Sequence, residues 1–266
     1  MPKTPITYFG GKLNMLKHIL PLIPKHRIYT EAFFGGGAVF FAKEPVESET
    51  INDTNNLAVT FYEVTQSDFE NLKSKIEATL FSRATHSVAW SIYRMPHLFD
   101  RLQQAWAFYI ATCMGFACQI SSSWGYDKYG KRVKAFRNKK MQLDERVAQR
   151  LEHTQIENND ALKVIESRDA TDAFHYVDPP YIGDTKISQG HYEGYTKEHF
   201  INLLDTLSKV KGKFLLSSYP SSILDTYITK HGWYIKYFDK PLSAAKAVSG
   251  KPRKRKTEVL VANYPI

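Results

Sequence analysis

An α/β fold built on a mostly parallel sheet is what this 266-residue sequence predicts. Short apolar runs alternate with segments of helical period along most of the chain. One such run stops at three consecutive glycines and another at a proline pair, the punctuation expected where strands end. The composition, 43% hydrophobic, suffices to bury a core.

Leu13, Leu16 and Leu20 stand at i, i+3 and i+7, which predicts a short helix ended by Pro21. Residues 28–33 read as a strand that runs into Gly35-Gly36-Gly37, and 38–41 open a helix. Ile51-Asn52-Asp53 reads as the end of a second strand. Ser67-Asp68-Phe69-Glu70 has the spacing of a capping box, and its helix should bury Phe69, Leu72, Ile76 and Leu80. Between 83 and 140 the rhythm breaks. Aromatic-rich helices around Trp90–Tyr93 and Trp106–Tyr109 precede a loop or hairpin at 124–131. This stretch is expected to be an inserted subdomain, with the core formed by 1–82 and 141–266. Strand-like runs resume at 173–177, 214–218, 233–238 and 259–262, with helices such as 197–210 between them. The alternation implies helices on both faces of the sheet.

Several function classes are excluded on sequence grounds. There is no run of 18 apolar residues and no signal-peptide pattern, so no membrane association is expected and a cytoplasmic location is. Cys113 and Cys118 read as buried free thiols in a helix, which suits a reducing compartment. No His-Glu-x-x-His, Cys-x-x-Cys or deaminase-type cluster occurs, so no metal is expected, and no Gly-x-Ser-x-Gly elbow is present.

The net charge of +9 is unevenly placed. Residues 125–140 carry Lys128, Lys131, Arg132, Lys134, Arg137, Lys139 and Lys140 against Asp127 alone. Residues 240–256 carry seven basic residues, Arg253, Lys254 and Arg255 among them, and no acid. Two basic patches on a mildly acidic body fit a nucleic-acid footprint, with solvated loops as the plain alternative.

The chemistry concentrates at strand ends, where open α/β sheets bind ligands. Phe33-Phe34-Gly35-Gly36-Gly37 lets backbone approach a nucleotide, or is a plain tight turn, and its spacing is neither a pyrophosphate fingerprint nor a Walker loop. Asp53, 18 residues after Gly35, can accept both hydroxyls of a ribose, or can be a solvated turn residue. Asp178-Pro179-Pro180-Tyr181 follows the run 173–177, where the plain alternative is a turn. A base amino nitrogen is a poor nucleophile because its lone pair is delocalised into the ring. Acceptors on Asp178 and the Pro179 carbonyl would turn that lone pair out of conjugation, and Tyr181 offers a stacking face for a base drawn from a duplex. A sulfonium methyl donor is already activated, so holding donor and nitrogen in line would supply most of the rate.

These residues resemble the Dam-like N6-adenine DNA methyltransferases. The resemblance runs through Tyr8-Phe9-Gly10-Gly11-Lys12, Glu31-Ala32-Phe33-Phe34-Gly35-Gly36-Gly37, Asn52-Asp53, the 83–140 insertion, Asp178-Pro179-Pro180-Tyr181 and the ending 254–264, in family order over essentially the whole chain. Ala32 stands where the family has proline. The resemblance implies a Rossmann-like core with an inserted helical or hairpin DNA-recognition subdomain, and S-adenosyl-L-methionine as cofactor, leaving S-adenosyl-L-homocysteine. It implies Tyr8, Lys12, Asp53 and Asp178 at the donor, beside Phe33, Gly35 and Gly37. It places Asn159-Asp160 at the donor's adenine, with a helix N-cap as the equal alternative for Asp160. Catalysis falls to Asp178, Pro179, Pro180 and Tyr181. Trp124, Tyr126, Lys128, Lys131, Arg132, Lys134, Arg137, Arg253, Lys254 and Arg255 are the expected DNA contacts. The expected partner is double-stranded DNA, with a cognate restriction endonuclease left open. Cytosine N4, RNA, or an inactive DNA-binding protein on the same fold remain the rival readings. Ser217-Ser218-Tyr219-Pro220 receives no role.

Overall fold

A computed structural model describes residues 2–8, 10–118, 120, 122–182, 194–241 and 255–266, with backbone alone at 240, 241 and 255. The chain opens with a 3-10 turn, Lys12–Met15, the single-turn helix α1 (Leu16–Ile19) and a second 3-10 turn, Leu20–Leu22. Lys12, Met15 and Ile19 are buried here and Leu13 is exposed, so the leucine stripe is not the core face. Pro21 has no amide hydrogen to give and restricts Leu20, which leaves room for little regular helix.

The remaining elements are β1 (Ile28–Glu31), α2 (Ala38–Ala42), β2 (Ser48–Asn52), α3 (Asn56–Ser67), α4 (Phe69–Glu77), α5 (Arg83–Arg94), α6 (Arg101–Met114), α7 (Lys131–Gln142), α8 (Glu145–Leu151) and β3 (Thr154–Glu157). They continue with α9 (Ala161–Arg168), β4 (Ala173–Val177), α10 (Lys197–Leu207), β5 (Lys213–Ser218), α11 (Ser222–His231), β6 (Tyr234–Pro241) and β7 (Arg255–Ala262). Among the described residues these strands form one sheet in the order β3-β2-β1-β4-β5-β7-β6. The β2/β3, β1/β4 and β4/β5 pairs are parallel, whereas β7 runs antiparallel to both β5 and β6. This is the mostly parallel α/β architecture expected. All five residues of β4 are buried, as a strand covered on both faces must be.

By internal contacts the chain divides into two compact units, 1–21 with 34–159 and 22–33 with 160–266. The whole stretch 83–140 falls in the first unit. Its helix α6 is buried along 105–114, apolar on every side as an interior helix is, and packs against α3 and α5. The second unit has its own core, in which α9, α10 and α11 supply Ile165, Phe200, Leu204 and Leu224 against Phe214, Val259 and Val261 of the strands.

Three local expectations are corrected, at Ser67, Leu80 and Cys118, and one alternative, at 124–131, is settled. Ser67 is the last residue of α3, its hydroxyl donating to the Glu63 carbonyl at 2.8 Å, and α4 starts without a side-chain cap. Buried Val64 and Thr65 carry α3 past the point where a new N-terminus was expected. Leu80 is 77% exposed because α4 ends at Glu77. Segment 124–131 is a loop rather than a hairpin. Asp127 accepts backbone N–H bonds from Tyr129, Lys131 and Arg132, and an isolated Gly115–Trp124 bridge is its only β pairing among the described residues. Cys113 is buried and its thiol is pushed up to about 11 by burial, but Cys118 lies beyond the helix, half-buried, at a positive φ of 60°.

One buried ionic cluster ties the first unit together. Glu49 on β2 accepts from Lys43 Nζ at 2.5 Å and from both terminal nitrogens of Arg150 on α8. Arg150 also donates to the Phe40 carbonyl and lies 3.6 Å over the Phe40 ring.

Candidate active site

In the first unit the site is built at the carboxyl ends of β2 and β3. Asn52 is buried, and its side chain accepts from the Asn159 amide at 2.9 Å and donates to the Asn159 carbonyl at 3.1 Å. The next residue, Asp53, is half-buried. Its Oδ2 accepts the Gly35 N–H and its Oδ1 the Asn55 N–H, each at 2.8 Å. Burial raises the Asp53 pKa, and these two amides oppose the rise by stabilising the anion.

The glycine loop is shaped by what stands behind it. Gly35 and Gly37 have φ of +49° and +61°. A Cβ at Gly35 would come within 2.9 Å of the Tyr8 ring, and one at Gly37 within 2.3 Å of Phe34 Cζ. Tyr62 donates its hydroxyl to the Gly35 carbonyl at 2.9 Å, and Thr4 donates to that of Gly36. Lys12 is buried with Nζ on the Gly10 carbonyl at 2.8 Å. Tyr8, Lys12, Gly35, Gly37, Asp53 and Asn159 therefore all belong to this unit. Gly37→Ala should cost about 2–4 kcal/mol from the left-handed φ and overpacking together, read as a lower melting temperature with weaker donor binding.

Asp160 opens α9 in the second unit, where its Oδ1 accepts the Leu162 and Lys163 N–H groups. That is the N-cap arrangement allowed for it.

The second unit carries the motif 178–181. Parallel β1 and β4 place Glu31 opposite Tyr176, and two residues further along each strand stand Phe33 and Asp178. Phe33 meets Tyr195 edge-on at 6.3 Å. Asp178 and Tyr181 are half-buried and Pro179 is buried. Tyr181 packs edge-to-face on Tyr219 with centroids 4.4 Å apart, and Lys256 Nζ lies 3.5 Å over the Tyr219 ring. Burial first, then the charges of Asp178 and Glu258, push the Tyr181 phenol well above its ordinary range. That direction favours the neutral ring. Tyr219 is pushed up to about 12 chiefly by burial.

The residues assigned no role of their own from sequence are mostly those that hold others: Asn52, Asn55 and Tyr62 in the first unit, Tyr219, Lys256 and Glu258 in the second. Lys256 and Glu258 stand two apart on β7, a same-face spacing that could have been read. Nothing in the sequence pairs Tyr219 with Tyr181.

Near the basic patch, Trp124 and Tyr126 stack at 5.7 Å and 21°, and Arg83 lies 4.8 Å over Trp124. Phe81 continues the aromatic row to the buried Phe136. Tyr126 is 68% exposed, and Lys128, Lys131, Lys134 and Arg137 are exposed. Arg132 is half-buried and donates to the Gly115 carbonyl at 2.6 Å. Lys139 and Lys140 donate to backbone carbonyls, of Thr4 and Ile6 and of Glu77 and Thr79 respectively, so part of this charge serves the fold. Arg253 and Lys254, with the side chain of Arg255, lie outside the described residues.

The sequence pattern of the D12 class N6 adenine-specific DNA methyltransferases matches residues 8–243, from Tyr8 past the motif at 178–181. The chain belongs to that family. It is an adenine-specific DNA methyltransferase that uses S-adenosylmethionine and acts on DNA. Cytosine, RNA and a purely binding role are thereby set aside. The methyltransferase is also 26% identical to the Type II methyltransferase M1.LlaDCHI of Lactococcus lactis subsp. cremoris, over 96% of this chain and 93% of that protein. Among the described residues no helix is long and apolar enough to cross a membrane.

Proposed function

We propose that the methyltransferase modifies the N6 amino group of an adenine flipped out of a specific duplex sequence. Asp178 and the Pro179 carbonyl hold the amino hydrogens, Pro180 stiffens the turn and Tyr181 stacks on the base. The supporting observation is the carboxylate at the tip of buried β4, followed three residues later by a half-buried tyrosine held edge-to-face against Tyr219. With its N–H bonds held by two acceptors, the amino nitrogen presents its lone pair, and Asp178 receives the proton released in this reading.

The donor set suits a nucleoside. Asp53 offers a carboxylate for ribose hydroxyls, the loop 35–37 presents backbone without side chains, Tyr8 gives an aromatic wall, Lys12 a cation and Asn159 a backbone fixed by Asn52. Phe33, Asp160 and Asp178 complete the proposed donor contacts. When bound, S-adenosylmethionine supplies a methyl group already activated on sulfur, so the protein need only position. Because burial raises the Asp53 pKa, donor affinity should fall on acidification at a higher pH than an exposed aspartate would give. Titration of S-adenosylhomocysteine from pH 4 to 8 checks this, and Asp53→Ala should flatten the profile.

DNA is gripped, in this reading, by Trp124, Tyr126, Lys128, Lys131, Arg132, Lys134 and Arg137, with the recognition subdomain within 83–140 and further contacts from Arg253, Lys254 and Arg255. Binding should weaken steeply with salt, by a log–log slope of about −0.9 per phosphate neutralised. Gln at Lys128, Lys131, Lys134 and Arg137 should make the slope shallower for all sequences alike. An unchanged slope would leave those residues as solvated surface.

The Type II relative favours pairing with a restriction endonuclease in the cytoplasm, with the enzyme drawn to the nucleoid by its DNA. Mass spectrometry of digested DNA from an expressing host tests the core assignment. N6-methyladenine should appear, and should disappear with Asp178→Ala. Sequencing the same DNA gives the target, and cleavage by a nuclease of that specificity shows whether modification protects.

A further inference from the structure

Helix α5 has twelve residues and runs between two features described above. At 1.5 Å per residue it spans roughly 17 Å. Its start is fixed by Ser82, whose hydroxyl accepts the Thr85 N–H at 3.0 Å. There Arg83 lies 4.8 Å over Trp124 and 5.9 Å from the Tyr126 ring centre. In its last turn Tyr93 stacks on Trp90 at 5.4 Å and 12°, and its hydroxyl accepts Asn55 Nδ2–H at 3.1 Å.

Asn55 is bonded on three sides. Its amide donates to Asp53 Oδ1 at 2.8 Å, its Oδ1 caps α3 by accepting Leu57 N–H at 3.1 Å, and its Nδ2 is taken by Tyr93. Asp53 depends on that residue for one of the two amides that fix its carboxylate. The Asp53 charge is also felt at the Tyr93 phenol, whose pKa is raised by burial first and by Asp53 as well.

We propose that Tyr93 is a positioning residue of the donor site, fixing Asn55 and through it Asp53, and that α5 thereby couples DNA engagement at Arg83, Trp124 and Tyr126 to donor affinity. The inference rests on the reading of Asp53 as the donor's ribose acceptor. A helix is a stiff element. A shift imposed at Arg83 when DNA displaces or buries the Trp124–Tyr126 stack is transmitted to the hydroxyl at the other end. By linkage the donor must strengthen DNA binding by the same factor that DNA strengthens donor binding.

The test is calorimetric titration of S-adenosylhomocysteine into the full chain, alone and with sonicated genomic DNA from a methylation-deficient host. In the wild type, DNA should tighten binding at least about fivefold. Tyr93→Phe, which removes one oxygen, should weaken binding without DNA about fivefold, the worth of one net hydrogen bond. It should also reduce the effect of DNA to less than about twofold, which a purely structural role would not do. Tyr93→Met, also without the hydroxyl, must show the same two losses. Wild-type affinity or wild-type DNA enhancement in Tyr93→Phe overturns the proposal, as does a wild type indifferent to DNA. Asp53→Asn, run in parallel, separates the two readings. If it leaves affinity unchanged, the assignment of Asp53 fails and this inference with it. If it weakens binding while Tyr93→Phe does not, this inference alone fails.

Discussion

Asp178→Ala should reduce methyl transfer at least a hundredfold while DNA binding survives. A hydrogen bond to a charged acceptor is worth about 1.5–3 kcal/mol, and each 1.36 kcal/mol off the barrier is about tenfold in rate. Misalignment of the amino nitrogen adds to that loss, because proximity contributes about 7–11 kcal/mol only when geometry is near ideal. Asp178→Asn keeps a carbonyl acceptor without its charge and should lose less, about tenfold. Single-turnover transfer of labelled methyl measures both variants, and a mobility shift on the same preparations reads DNA binding. Equal activity in Asp178→Ala and wild type would remove the carboxylate from the mechanism.

The second large effect is on stability. Glu49→Ala should destabilise the protein by about 3–5 kcal/mol, because Lys43 and Arg150 would keep their charges in a buried site with no anion. In a chain of this size that is a fall in melting temperature of roughly 10 °C. Glu49→Gln retains acceptor geometry for one partner and should fall between. Replacing all three residues together with apolar side chains of similar volume should recover much of the loss. Thermal unfolding followed by circular dichroism decides it. A shift under about 2 °C in Glu49→Ala would show that solvent reaches the cluster.

The parts legible in sequence were those whose signal is local. β1 and β4 are apolar runs closed by glycines or prolines, and the residues just past their tips, with Asp53 past β2, are the candidates for chemistry. Where one segment satisfies two local rules, the reading failed. Ser67 fits a cap, yet it closes α3 with its hydroxyl on the Glu63 carbonyl. Leu80 fits the period of α4, yet the helix stops three residues earlier. Order of pairing was not legible at all. β7 pairs with β5 as well as with β6, and no local pattern reports that. The same holds for Tyr181, Tyr219 and Lys256, which meet only once three separate strands are in register.

The place of β7 has a consequence for how the enzyme comes into being. Strand β5 exposes one edge until residues 255–262 arrive to occupy it, and β6, made earlier, pairs among the described strands only with β7. Asn263 adds a clasp, its side chain accepting from the Phe214 amide at 3.0 Å and donating to the Gly212 carbonyl at 2.9 Å. Tyr264 fastens the same stretch to the Leu22 carbonyl. On the ribosome, residues 213–241 must therefore wait, with open hydrogen-bonding edges, for the segment that joins them. Tyr219 likewise lacks its Lys256 until that moment. Translation arrested before residue 255 leaves a chain with the motif 178–181 already made but its supporting wall missing, exposed to edge-to-edge aggregation. Among the described strands β7 is the last in sequence, so closure of this side of the sheet should follow its synthesis.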